Sequence, residues 1–267
     1  PWSSGAGGMP RNLSNRPYRG INCMITMLTC MDMEWEVPIF LTYKQAKEKD
    51  WQVRKGEQGT KVVFAGVKVP PEFKSNPENC PPDQKYYYRK LYTVFNLHQI
   101  DGVDLDEYLP KHREFSPIED AEKIVGGYFD CPPITHEGTS AFYAPLDDSI
   151  TMPAKTTFES EEAYYDTLYH EMGHSTGHPS RLDRELVSKS KDKKAYAFEE
   201  LVAELTASFL CANVGIEEAN FDRSAAYLAN WLECLKSDKK FILQAASKAQ
   251  LAADYILGSN LNVNETS

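Results

Sequence analysis

A chain of 267 residues, 42% hydrophobic and 25% charged, is long enough to bury one large core or two modest ones and is globular in composition, not fibrous or disordered. Its net charge of −10 is unevenly spread, since residues 1–70 carry ten Lys and Arg against six Asp and Glu; that part, and not the acidic remainder, is suited to a polyanion. The longest apolar run, roughly residues 21–31, is interrupted by Asn22 and is too short to span a bilayer, which excludes a membrane partner.

The first residues, Pro1-Trp2-Ser3-Ser4-Gly5, have neither an initiator Met nor the layout of a secretory signal, so the start reads as trimmed. Six cysteines without a Cys-x-x-Cys spacing point to reduced thiols in the cytoplasm. Apolar spacing predicts a helix from residue 21 to Glu34, and Thr42 can cap a short helix through Lys49. Residues 53–64, punctuated by Gly56 and Gly59, read as a turn feeding a strand, and residues 86–97 as an aromatic-rich strand. The Pro-rich stretch between them, 70–82, is an exposed excursion. A boundary falls between 113 and 114, where an acidic stretch gives way to a helix over 117–126. In the second part, residues 140–144 and 149–152 flank Asp147-Asp148 as a β-hairpin. Ser160, followed by Glu161 and Glu162, starts a helix that runs past His174 and ends at Gly177. Further helices are expected over 197–213 before Gly215, over 223–236 behind Asp222, and over 239–257 before Gly258. The fold class is α+β: a small α+β unit, 1–113, then a mainly helical unit with a small hairpin or sheet, 114–267.

The chemistry concentrates in His170-Glu171-Met172-Gly173-His174. Residues four apart share a helix face, so the two imidazoles can bind one Zn²⁺ while Glu171 acts as general base toward a water at the open position. This is the pattern of a zincin-like metallopeptidase. A third histidine ligand would fall at position 180, which is Ser180; His178 comes two residues early and is read as a surface residue or an outer neighbour of the site. A carboxylate is then needed. In Phe198-Glu199-Glu200-Leu201-Val202-Ala203-Glu204, Glu200 is assigned as third ligand and Glu204 as the carboxylate that orients a histidine, with the reverse assignment left open; Glu199 is read as solvated. For oxyanion stabilisation His136, Tyr143, Tyr165 and His178 are candidates among which the sequence does not choose.

Two groups of motifs in this order carry a resemblance: Gly20-Ile21-Asn22, Leu41-Thr42-Tyr43-Lys44-Gln45-Ala46 and Arg54-Lys55-Gly56-Glu57-Gln58-Gly59 in the first half, and residues 170–182, from His170 to Leu182, in the second. The chain resembles ArdC-type antirestriction proteins over nearly its whole length. The resemblance implies an N-terminal domain that binds single-stranded DNA, a zincin-like C-terminal domain with a glutamate as third ligand, carriage by mobile elements, and protection of incoming DNA from host restriction. A restriction enzyme or another protein is then a candidate substrate. Residues suited to the DNA are Arg11, Arg16, Arg19, Lys44, Arg54, Lys55 and Lys61 for phosphates, with Trp2, Tyr18, Tyr43 and Trp51 as stacking faces. Two other functions compete: a zinc peptidase whose N-terminal unit recruits a protein, and a binding module whose zinc is structural.

Overall fold

The computed structural model describes residues 8–109, 117–184, 192–216 and 240–259. Trp2, Cys234, the boundary at 113/114 and the helix expected over 223–236 lie outside the described residues. Near the N-terminus, strand β1 (Arg11–Asn12) runs parallel to β2 (Ile39–Thr42). Between them helix α1 (Ile21–Asp32) opens on Gly20, whose φ of 52° is left-handed and costs glycine nothing. Thr42 ends β2 and starts α2 (Tyr43–Glu48) with a reciprocal cap: its hydroxyl accepts from Gln45 N–H, and the Gln45 carbonyl oxygen accepts from Thr42 N–H.

Strands β4 (Thr60–Lys68) and β5 (Tyr86–Asn96) form a long antiparallel ribbon, and the four-stranded sheet runs β1-β2-β5-β4. The Pro-rich stretch joins the two strands through short 3-10 turns on the surface. Short strands β3 (Gln52–Val53) and β6 (Ile100–Asp101) pair separately. Leu41, Ala46, Val53, Leu97 and Ile100 belong to one core cluster, while Phe40, Val62 and Val94 pack with Cys30 of α1 and Trp35 in another.

In the second half, α3 (Pro117–Gly127) precedes a three-stranded sheet in which β9 (Ser149–Met152) lies between β7 (Ile134–His136) and β8 (Phe142–Ala144). The β8–β9 hairpin is the one expected from sequence. Strand β7 is not: it has three residues behind Pro132-Pro133, too few to show an alternation. Helix α4 (Glu161–Ser175) is capped by Ser160, and α5 (Lys193–Val214) by Asp192. Helix α6 (Phe241–Ile256) completes the layer, and Gly215 and Gly258, both at positive φ, follow α5 and α6. Helix α4 ends at Ser175 rather than at Gly177, because side chains reach its last carbonyls: Arg181 donates to Ser175 O and Arg184 to Gly173 O.

Helices α4 and α5 cross where Gly173 faces Ala203. A Cβ at 173 would lie 3.1 Å from Ala203 Cα and 3.2 Å from its carbonyl oxygen, so glycine allows an approach that a larger residue would push back by a few tenths of an ångström. Behind α5, Ala245, Ala246, Ala249 and Ala253 of α6 are buried in the same cluster, small residues that allow close packing. Helix α1 joins the two halves. Its Cys23 is buried in the cluster of α4, α5 and α6, Gly20 N–H donates to Gln250, Arg19 pairs with Asp254, and Asn22 bonds both the N–H and the carbonyl of Val63 on β4.

Candidate metal centre

His170 and His174 leave the same face of α4 one turn apart, and their Nε2 atoms lie 3.1 Å from each other. The crossing at Gly173 brings α5 over this face, with Glu200 and Glu204 on either side of Ala203 in sequence. Glu200 places its two oxygens 3.7 Å from His170 Nε2 and 3.5 Å from His174 Nε2. One donor atom from each of the three residues falls within 4.8 Å of the others. Ligands at about 2.0–2.2 Å on tetrahedral vertices stand roughly 3.3–3.6 Å apart, so the donor set fits a small divalent cation in spacing and in N/N/O chemistry.

The outer imidazole nitrogens are held by carboxylates. His170 Nδ1 is 3.0 Å from Glu204 Oε2, and His174 Nδ1 is 3.5 Å from Glu199 Oε1. A proton on each Nδ1 turns both Nε2 lone pairs toward Glu200. Burial alone would push the His170 pKa down, but the hydrogen bond to Glu204 and the charges of Glu171, Glu204 and Glu200 raise it to about 9. The pocket is therefore strongly anionic around a point that two imidazoles face. Glu171 is 8% exposed on the same helix. His178 is turned to Ser180, with 2.8 Å between Nδ1 and the hydroxyl, and is not in the donor cluster found among the described residues.

Glu199 corrects the sequence reading. It is 5% exposed, not solvated, and Arg184 donates to both its oxygens, at 3.0 and 2.6 Å, as well as to Gly173 O and Thr176 Oγ1. Burial works against its ionised form, yet hydrogen bonds from His174 and Arg184 hold its carboxyl below the usual range. A signal was present: Glu199 lies four residues before Ala203 and seven before Thr206, both buried, so it shares their face. Arg181 was also missed. It ties the end of α4 to Asp148 in the β8–β9 turn and to Tyr143. Of the oxyanion candidates, Tyr143 is bonded to Asp148, Tyr165 to Glu122, and His136 to Tyr164, so each hydroxyl or ring has a partner within the protein.

The basic residues selected from sequence stand at separate places. Arg11 is in β1 and Arg16 follows the turn after it, Arg19 is paired with Asp254, and Lys44 lies near Glu48. Arg54 is held by Glu57 and the His98 carbonyl, Lys55 is exposed in the β3–β4 turn, and Lys61 bonds Thr93. Tyr18 and Trp51 are half-buried and have ring partners: Tyr18 meets Phe40 edge-on at 6.0 Å, its hydroxyl pKa pushed up to about 12 by burial, and Trp51 meets Tyr108 at 6.4 Å. Tyr43 is half exposed. The exposed aromatics that the sequence reading passed over are Tyr86, Tyr87 and Tyr92 on β5.

Comparison with known proteins bears on both halves. Residues 1–95 match the family model of the N-terminal domain of anti-restriction factor ArdC, and residues 129–248 match that of a zincin-like metallopeptidase. The Mn(II)-bound crystal structure of antirestriction ArdC protein from the R388 plasmid superposes with a TM-score of 0.73 at 40% identity, covering 95% of this chain and 89% of that one. The uncharacterized protein y4eC of Sinorhizobium fredii is 37% identical over 91% of this chain and 78% of its own length. A DNA primase TraC of Escherichia coli is 34% identical over 96% of this chain, which spans only 25% of that protein.

Proposed function

The chain belongs to the ArdC family of antirestriction proteins, and from that premise we propose that it binds single-stranded DNA through residues 1–113 and carries in residues 114–267 a zinc-dependent peptidase centre, together protecting incoming DNA from host restriction. The observation that carries the metal half is the convergence of His170, His174 and Glu200 with Glu171 beside them. A divalent cation held there would polarise a peptide carbonyl and acidify a water. Glu171 would take the proton of that water and pass it to the leaving amine. Glu204 and Glu199 would keep His170 and His174 in the tautomer whose Nε2 carries no proton and can bind the cation. Zinc is the cation best matched to two imidazoles and one carboxylate. The unbridged thiols of Cys23, Cys30, Cys80 and Cys131 support a reduced compartment such as the cytoplasm, where restriction acts.

The test is metal content and DNA retention of purified protein. His170→Ala and Glu200→Ala are expected to lose the bound metal, and Glu171→Gln to keep metal while losing hydrolysis. The unaltered chain is expected to be retained on single-stranded oligonucleotides at low salt and released as salt rises. Metal retained in both ligand variants would break the assignment. If Glu171→Gln kept every activity while His170→Ala unfolded the domain, the metal would be structural.

A further inference from the structure

Residues directly opposite in an antiparallel pair share a face of the sheet, and faces alternate along each strand. In the β4–β5 ribbon, Lys68 is opposite Tyr86, Phe64 opposite Lys90, and Val62 opposite Tyr92, so Tyr86, Tyr88, Lys90 and Tyr92 look the same way as Phe64 and Lys68. At its base this face is core, where Val62 and Val94 pack with Phe40 and Trp35. Farther out it is open: Tyr86 is 67% exposed and Tyr92 44%. Three of the rings are contiguous. Phe64 lies 6.2 Å from Tyr88 and 5.8 Å from Tyr92, and the ammonium groups of Lys68 and Lys90 stand 5.5 and 5.7 Å from the Tyr88 ring. Neither strand contains an Asp or Glu, while together they carry Lys61, Lys68, Arg89 and Lys90 in a chain whose net charge is −10. A half-exposed strand ordinarily turns polar side chains to water; this one turns aromatic rings, with cations beside them and no anion to match.

We propose that this ribbon face, rather than the basic residues near the N-terminus, seats the single DNA strand, a reading that rests on the DNA-binding function proposed above. Bases stack on Tyr86 and Tyr92, Tyr88 and Phe64 form the floor beneath them, and Lys68 and Lys90 meet the phosphates. The combination selects a single strand. Stacking needs unpaired bases, and it is tolerant of sequence because every base has a π-face. Charge suits either DNA or a second copy of this acidic chain, and the rings separate them, because only a nucleic acid brings bases to stack on Tyr86 and Tyr92.

Binding of the full-length chain to an oligothymidylate, followed by fluorescence anisotropy across a salt series, tests the assignment. Tyr86→Ala/Tyr92→Ala is expected to weaken binding at least about fivefold per ring with the salt slope retained, and Tyr86→Phe/Tyr92→Phe to restore it. Lys68→Ala/Lys90→Ala is expected to lower the slope of log affinity against log salt by about 0.7 per lysine. Lys123→Ala, which removes an exposed cation of α3 outside the ribbon, is expected to bind within about threefold of the unaltered chain. Circular dichroism and melting of each variant report that the fold is kept, as substitution of exposed rings allows. If the unaltered chain binds and the ribbon variants bind equally well, the ribbon assignment is overturned while the DNA-binding reading stands. If the unaltered chain fails to bind at low salt, the DNA-binding reading itself is lost. A ribbon variant that retains DNA but loses a concentration-dependent increase in mass would mark the face as a self-association seam and overturn the proposal.

Discussion

Glu199 and Arg184 lie outside the donor cluster and are fixed to it on one side only, through His174. Both are buried, so removing the charge of one leaves the other ionised in a dry site. Glu199→Gln keeps the shape and is expected to cost about 3 kcal/mol in chemical denaturation. It should also weaken metal binding roughly ten- to a hundredfold in a chelator competition titration, because a carboxylate that orients a ligand imidazole sets its basicity. Unchanged affinity would mean that His174 needs no such partner. The acid limb of stability carries the same signature. With its folded-state pKa held low, Glu199 contributes stability above the unfolded glutamate value of about 4.3, and the contribution is lost as pH falls through the folded value. The variant should therefore show a flatter decline in acid. His170, Glu171 and His174 were legible because a four-residue spacing is enough to define a helix face. The burial of Glu199 is legible in the face it shares with Ala203, but its role is not, because that depends on Arg184, fifteen residues earlier, which no local spacing relates to it. The same reason hid Arg181 and its bond to Asp148.

At the scale of elements, the site is an encounter of two helices and its precision is set by Gly173. Position 173 lies between the two histidines in sequence, and in a motif read only for its ligands it passes as spacer. In the fold it is the contact that lets α5 approach α4, with Ala203 Cα at 3.1 Å and Thr206 Cβ at 3.2 Å from where a methyl would stand. Gly173→Ala should gain about 1 kcal/mol in intrinsic helix propensity and lose about 1–3 kcal/mol to overpacking. The net effect on the melting temperature is thus small or negative. Metal affinity is expected to drop further than stability does, since moving α5 outward carries Glu200 and Glu204 away from α4 together. A variant with affinity intact would show that the crossing has slack. Helix and strand positions were well anticipated where caps or glycines mark them, as at Thr42, Ser160 and Gly215. The start of α5 was placed four residues late. Its first turn, Lys193-Lys194-Ala195-Tyr196, has no apolar stripe, and Asp192 sets the start by accepting from the N–H groups of Lys194 and Ala195. Stacking residues were sought in the most basic segment, and the strand that read correctly as aromatic was left without a role.

Across the whole molecule, the question is whether the two halves are independent bodies, as the change in charge near residue 70 invites one to think. Helix α1 argues that they fold together. One end of it is tied to α6 through Arg19–Asp254 and the Gly20–Gln250 bond, and its flank is tied to β4 through Asn22. Met9, Tyr18, Ile21, Met24 and Met27 pack against the core formed by α4, α5 and α6, and separating the halves would open all of that apolar surface to water. A single cooperative transition is therefore expected on urea denaturation, with Trp35 fluorescence from the sheet and metal release from the helical layer changing at the same concentration. Asp254→Ala should lower the stability read from that shared midpoint by about 1–2 kcal/mol, since Asp254 is buried and its removal leaves the buried Gln250 amide without its acceptor, while the exposed Arg19 is met by water. Two separate midpoints in the unaltered chain would show that α1 is only docked. Coincident midpoints in both proteins would make the N-terminal half and the half with the candidate metal centre one folding unit, so that loss of metal lowers the stability of the surface proposed to meet DNA.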